Sequence, residues 1–177
     1  MRVIGFAGWS GAGKTTLIVK LILELNRRGL SVSTIKHAHH NFDLDQPGKD
    51  SYEHRAAGAE EVLVASANRV ALMRELRGAP EPSLAELLRL LKNVDLVLVE
   101  GFKRDRLPKI EVFRGANGKP PLYPDDRNIV ALISDALEPV VGLPHASIDD
   151  IAAAADLVLA HAKPLAAVLA EFERRRS

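Results

Sequence analysis

The octet GWSGAGKT at residues 8–15 has the residue types and the spacing to grip a polyphosphate. Gly8, Gly13, Lys14 and Thr15 fill every constrained position of the pattern G-x-x-x-x-G-K-[ST]. Glycines let the backbone curl with its N–H groups turned inward, which makes an anion nest. A helix starting there adds unpaired N–H groups and the partial positive charge of its N-terminus. In that pattern Lys14 reaches the β- and γ-phosphates, and the Thr15 hydroxyl ligates Mg²⁺.

A second group with chemical potential is DLVLVEG at residues 95–101. A carboxylate leaving a buried strand beside a phosphate loop can hold Mg²⁺ directly or through water. Asp95 and Glu100 both qualify by type. Ligands sit beyond the carboxyl ends of parallel strands, so Glu100 is the better candidate and Asp95 belongs to the far end.

A third group is KHAHHNFDLDQPGKDS, residues 36–51, with three histidines and three aspartates. In P-loop proteins this region can carry a switch that senses the terminal phosphate. Asp43 and Asp45 alternate, so one could face Mg²⁺ while the other faces away. His37, His39 and His40 could instead bind a transition metal, although the chain has no cysteine and HxHH has no specific ligand spacing. A plain polar loop is the third reading. Lys103, Arg104 and Arg106 could clamp an anion or could be scattered surface charges. The Asn-Lys-x-Asp guanine signature does not occur in the chain. Asn128 and Asp135 flank NIVALISD, where a carboxylate could accept from a guanine, but spacing alone does not choose GTP over ATP.

The elements that would position these groups can be read from the pattern. RVIGFA suits a buried strand and TLIVKLILELNRRG an amphipathic helix, because Leu17, Leu21 and Leu25 recur every fourth residue. Gly29 suits its C-terminal cap. The order strand, glycine loop, helix is the context that the phosphate-loop pattern requires. LSVSTIKH predicts a strand, and Asp50 or Ser51 could cap a short helix through YEHRAAGA. EVLVAS and NRVALMREL read as short strands, the second with a helical alternative. Ser83 and Glu86 form a capping box for SLAELLRLLKN. VDLVLVEG, KIEVF and NIVALIS are strands, the first and last apolar enough to be buried on both faces. Helices follow over 148–160, capped by Ser147 or Asp149, and over PLAAVLAEFERRR, with Pro164 near its start. The alternation predicts an α/β fold, a mostly parallel sheet covered by helices, in a single domain over 1–177. RRRS at the end reads as a solvated helix terminus.

Composition narrows the classes. The 177 residues are 47% hydrophobic, enough for a sizeable core and unlike a disordered chain. The 24 basic and 23 acidic residues leave a net charge of +1, which gives no argument for nucleic-acid binding. No apolar run approaches the ~20 residues that span a membrane. The N-terminus enters a strand without a signal-peptide pattern, so a cytoplasmic protein is expected.

Four stretches together, GWSGAGKTTL, IKHAHHNFDLDQPGKDSYEHRAAGA, DLVLVEGFK and NIVALISD, resemble the MobB family, molybdopterin-guanine dinucleotide biosynthesis protein B. The resemblance runs from about residue 2 to about residue 161, and its middle segment is the most specific part. DDRN at 125–128 departs from it, where a proline near Asn128 would be expected.

The resemblance implies a P-loop NTPase fold, GTP and Mg²⁺ as ligands, and a homodimer. It also implies an accessory role beside the guanylyltransferase that joins GMP to molybdopterin, with possible contact to molybdopterin itself. Its members are similar to slow GTPases whose hydrolysis need not be their purpose. The implied nucleotide contacts are Gly8, Ser10, Gly11, Ala12, Gly13, Lys14, Thr15 and Thr16. Lys14, Asp45 and Glu100 are the implied catalytic residues, and Thr15, Asp45 and Glu100 the implied Mg²⁺ side. Two other functions stay open from the residues alone. One is a Mg·ATP-dependent small-molecule kinase with His37, Asp43 or Glu100 as base. The other is a nucleotide-gated metallochaperone built on the histidine loop.

Overall fold

The computed structural model describes residues 1–38, 42–135 and 142–174. The chain forms two compact units, one of Met1–His37 with Leu84–Ser177 and one of Ala38–Ser83.

In the first unit, strand β1 (Arg2–Ala7) runs through the glycine loop into helix α1 (Lys14–Arg27), and strand β2 (Val32–Lys36) follows. The second unit, described below, carries α2 (Asp50–Ala56), β3 (Glu61–Ala65) and β4 (Val70–Arg74). The first unit resumes with α3 (Leu84–Leu90), β5 (Leu96–Glu100), β6 (Lys109–Phe113) and β7 (Ile129–Ser134). It ends with β8 (His145–Ser147), α4 (Ile151–His161), the two-residue β9 (Lys163–Pro164) and α5 (Leu165–Glu173).

The sheet runs β2-β5-β1-β6-β7-β8, and every pairing along it is parallel. β9 pairs antiparallel with the start of β1. The expected mostly parallel α/β sheet is therefore what the chain builds.

Alternation along the central strands explains its two covered faces. Ile4, Phe6, Leu96 and Leu98 pack with Leu17, Leu21 and Leu25 of α1 and Ala154, Ala155 and Val158 of α4. Their neighbours Val3, Val97 and Val99 pack with Leu84 and Leu88 of α3 and Val168 of α5. Leu21, Leu25, Leu88 and Leu98 are wholly buried, each worth roughly 1.5–3 kcal/mol of transfer free energy. Helix α1 ends where Gly29 turns left-handed, with φ of 82°.

Several local expectations shift. Asp50 is the first residue of α2 and not its cap; Lys49 takes that place without a side-chain hydrogen bond. Ser51 instead donates its hydroxyl to Asp45 Oδ1 at 2.9 Å. Ser147 and Asp149 do not cap α4. Residues 145–147 pair with β7, which holds them extended, so α4 starts at Ile151. Asp150 is the cap, accepting from the Ala153 N–H at 3.0 Å. Pro164 is the residue that caps α5, and it pairs with Arg2.

The second unit is a helix and a hairpin. β3 and β4 pair antiparallel in a sheet of their own, from Glu61↔Arg74 to Ala65↔Val70. Cross-strand pairing thus decides for strand over helix at RVALM. His39, His40 and the last three residues, Arg175 to Ser177, lie outside the described residues.

Candidate nucleotide-binding site

The site grows from the carboxyl edge of the first unit's sheet. β1 is a central strand, and its exit is forced into a sharp turn. At Gly8 φ is 141°, and a Cβ would stand 2.4 Å from the Val112 carbonyl oxygen on the neighbouring strand. Only glycine fits there. Helix α1 then begins at Gly13 with no side-chain cap and no acidic residue in its first turn. The first amides of a helix lack intrahelical partners. Lys14, Thr15 and Thr16 therefore present N–H groups at an end that nothing in the helix itself neutralises, a setting for an anion.

Lys14 folds back over the loop, its ammonium donating to the carbonyls of Gly8 and Trp9, both at 2.9 Å. Burial lowers its pKa; Glu100 opposes the shift, while Lys103 and Lys36 add to it. Thr15 donates its hydroxyl to Glu100 Oε1 at 3.0 Å across 85 residues of sequence. Register explains this meeting. Lys36 of β2 pairs with Glu100 of β5, and Glu100 pairs with Phe6 of β1. All three side chains lie on the α1 face, at the edge where α1 starts. Lys36 Nζ stands 3.4 Å from Thr15 Oγ1 and 3.6 Å from Glu100 Oε2. Asp95 lies at the other end of β5, where Ser31 donates both its backbone N–H and its hydroxyl to Oδ2.

The next strand supplies a second wall. Arg114, just past β6, has its guanidinium 3.5 Å from where a Gly13 Cβ would be. Asn117 stands beside Gly11 and donates to the Ser10 carbonyl at 3.5 Å. The Trp9 indole donates to the Pro120 carbonyl at 2.7 Å, and the Lys103 ammonium lies 5.2 Å from the Trp9 ring centre. Glu111, wholly buried, holds this segment by accepting from the N–H groups of Leu122 at 2.7 Å and Tyr123 at 2.9 Å. Lys109, also buried, ties Asp126 at 2.7 Å.

The structure thus brings together Gly8, Ser10, Gly11, Ala12, Gly13, Lys14, Thr15, Thr16 and Glu100. Asp45 belongs to the other unit. There it accepts from the Gln46 N–H and the Ser51 hydroxyl and lies 3.2 Å from Arg55 Nε. Asp43 takes the Arg55 Nη2 at 2.9 Å. Asn128 precedes β7 and spends its amide on Asp126, whereas Asp135 stands at the carboxyl end and accepts from the Gly115 N–H at 2.9 Å. Arg104 and Arg106 are exposed. The His37 ring stacks at a tilt on Phe102, with centres 5.0 Å apart. Among the described residues, no three histidine, aspartate or glutamate side chains are grouped to hold a metal.

Lys36, Arg114, Asn117 and Trp9 were not singled out by motif. One signal could have found the first three: Lys36 ends β2, and Arg114 and Asn117 follow β6, at the same carboxyl edge of the parallel sheet where the phosphate loop leaves β1.

Strand order and loop placement define the class as a P-loop NTPase fold. Comparison with known proteins narrows it. A family model described as molybdopterin guanine dinucleotide synthesis protein B matches residues 3–135, and the chain belongs to that family, MobB. An Escherichia coli (strain K12) protein described as molybdopterin-guanine dinucleotide biosynthesis adapter protein is 48% identical over 136 residues, 75% of this chain and 78% of that protein. A Bacillus subtilis (strain 168) relative of similar description is 30% identical over 166 residues, covering 91% and 93%. The crystal structure of Bacillus subtilis MobB superposes with a TM-score of 0.71 at 27% identity, covering 92% of this chain and 99% of that one. A second MobB crystal structure gives 0.70 at 28%, covering 89% and 98%. Among the described residues no helix is long and apolar enough to cross a membrane.

Proposed function

We propose that this chain is a GTP-binding accessory protein of molybdopterin guanine dinucleotide synthesis, with slow hydrolysis. Family membership and the adapter descriptions of its relatives support the pathway. The observation that carries nucleotide binding is the uncapped start of α1 behind the glycine loop, with Thr15 and Glu100 at 3.0 Å beside it.

The loop amides receive phosphate oxygens, and Lys14 exchanges two carbonyls for them. A hydroxyl and a carboxylate at hydrogen-bond distance are the hard oxygen donors that Mg²⁺ takes, so Thr15 and Glu100 would hold it. When bound, Mg²⁺ neutralises phosphate charge. Asp45 is engaged within its own unit by Ser51 and Arg55. Glu100 serves the cation in this reading and not as a general base, which accords with slow turnover.

The partners in this reading are a second copy of the chain and the guanylyltransferase, with molybdopterin as a further candidate ligand. On the hairpin, Leu63 and Val70 are 64% and 66% exposed, a surface that suits a protein contact. The protein is expected to act in the cytoplasm.

The test is calorimetric titration with GTP and ATP in Mg²⁺, followed by phosphate release. A GTP preference above about 1.4 kcal/mol, tenfold in affinity, with slow release supports the reading. ATP preference with turnover raised by a small-molecule acceptor would replace it with a kinase.

A further inference from the structure

Glu100 ends a strand buried along its length, and its own side chain is only 13% exposed. A carboxylate in that setting needs a positive partner. Among the described residues, the cation within ion-pair distance is Lys36, reached from the neighbouring strand through the Lys36↔Glu100 register. Its ammonium also lies 3.4 Å from the Thr15 hydroxyl. One cationic group therefore faces the same two oxygens, hydroxyl and carboxylate, that suit a hard divalent cation. The Lys36 side chain is 58% exposed, so its stem has solvent to swing into. Lys14, by contrast, spends its ammonium on the loop carbonyls.

We propose that Lys36 is a tethered counter-ion of the cation site. It neutralises Glu100 while the site is empty and competes with a divalent cation for Thr15 and Glu100. Like charges at such separations repel, so the ammonium must leave for the cation to be held. The consequence is coupling. The lysine raises the divalent-ion concentration needed to fill the site and keeps it from loading without nucleotide. This rests on the reading of Thr15 and Glu100 as the Mg²⁺ side, and it leaves open which nucleotide binds.

The experiment measures Mn²⁺ binding to the nucleotide-free protein by electron paramagnetic resonance, at low salt, for wild type, Lys36→Met, Lys36→Arg and Lys36→Met with Glu100→Gln. Expected is an affinity about tenfold higher in Lys36→Met, a gain of ~1.4 kcal/mol. Lys36→Arg, which keeps the charge, should bind as wild type does, and the double variant should lose the gain. Added salt should shrink the difference, because Lys36 is exposed enough to be screened. Unchanged or weaker Mn²⁺ binding in a folded Lys36→Met overturns the proposal, as does the absence of measurable binding in both proteins. A gain that persists with Glu100→Gln overturns it too. If the gain appears but neither GTP nor ATP binds wild type, the nucleotide reading falls and the counter-ion stands.

Discussion

Glu111→Gln is the most informative single change outside the loop itself. The carboxylate is wholly buried, and each of its oxygens takes one backbone N–H, from Leu122 at 2.7 Å and Tyr123 at 2.9 Å. Glutamine keeps one acceptor and turns an amide N–H₂ toward the other donor. One buried N–H then goes unsatisfied, at about 1–3 kcal/mol. For a chain of this size each kcal/mol moves Tm by about 2–4 °C, so a central cost of about 2 kcal/mol lowers Tm by about 4–8 °C. The segment that loosens is the one whose Pro120 carbonyl receives the Trp9 indole N–H. Trp9 is the only tryptophan in the chain, so its fluorescence reports on the phosphate loop directly. Thermal melts and Trp9 emission are the assays, with a red-shifted emission expected.

The substitution also has a pH signature. Burial raises the Glu111 pKa; the two N–H donors oppose the shift and Asp126 adds to it. A carboxyl raised in the folded state contributes stability that is full below its unfolded value of about 4.3 and is lost as pH rises through the folded value. The gap between wild type and Glu111→Gln should therefore narrow as pH climbs above about 4. A variant within about 0.5 kcal/mol of wild type, with unchanged Trp9 emission, would refute the role of Glu111 in holding this segment.

Three further outcomes are expected. Lys14→Ala should fold normally and lose at least about tenfold in triphosphate affinity by calorimetry; a folded variant with full affinity sinks the phosphate role. Gly101→Ala should cost at least about 2 kcal/mol in denaturant melts, since φ there is 109° and the new Cβ would stand 2.5 Å from His37 Cβ. Glu24, held by Arg27 and Arg28, should titrate at about 2 by NMR. Because that pKa is depressed, its contribution is present above the unfolded value of about 4.3 and disappears as pH falls through the folded one; an ordinary titration near the unfolded value removes it.

Some of this molecule was readable residue by residue. The phosphate loop, the four-residue leucine repeat of α1 and the all-apolar β5 are local patterns, and each appears where its pattern falls. Capping was less legible. Asp50, Ser147 and Asp149 have the right chemistry for helix starts, but an Asp45 carboxylate took the Ser51 hydroxyl and pairing with β7 kept Ser147 extended. At RVALM both periods matched, and only the partner strand separated them.

The site divides in the same way. Lys14 and Thr15 were visible because a loop and the helix after it are continuous in sequence, and local backbone chemistry alone makes the nest. Glu100 could be preferred to Asp95 by a rule about strand ends. Its meeting with Thr15, the arrival of Lys36 at both, and the Trp9–Pro120 bond join residues 21 to 111 positions apart. Those depend on strand order, on register and on which face each side chain takes. None of these is written in neighbouring residues, because a one-residue slip in register would turn Lys36 and Glu100 to the opposite face. Long-range packing chose the register, and the register assembled the cation site.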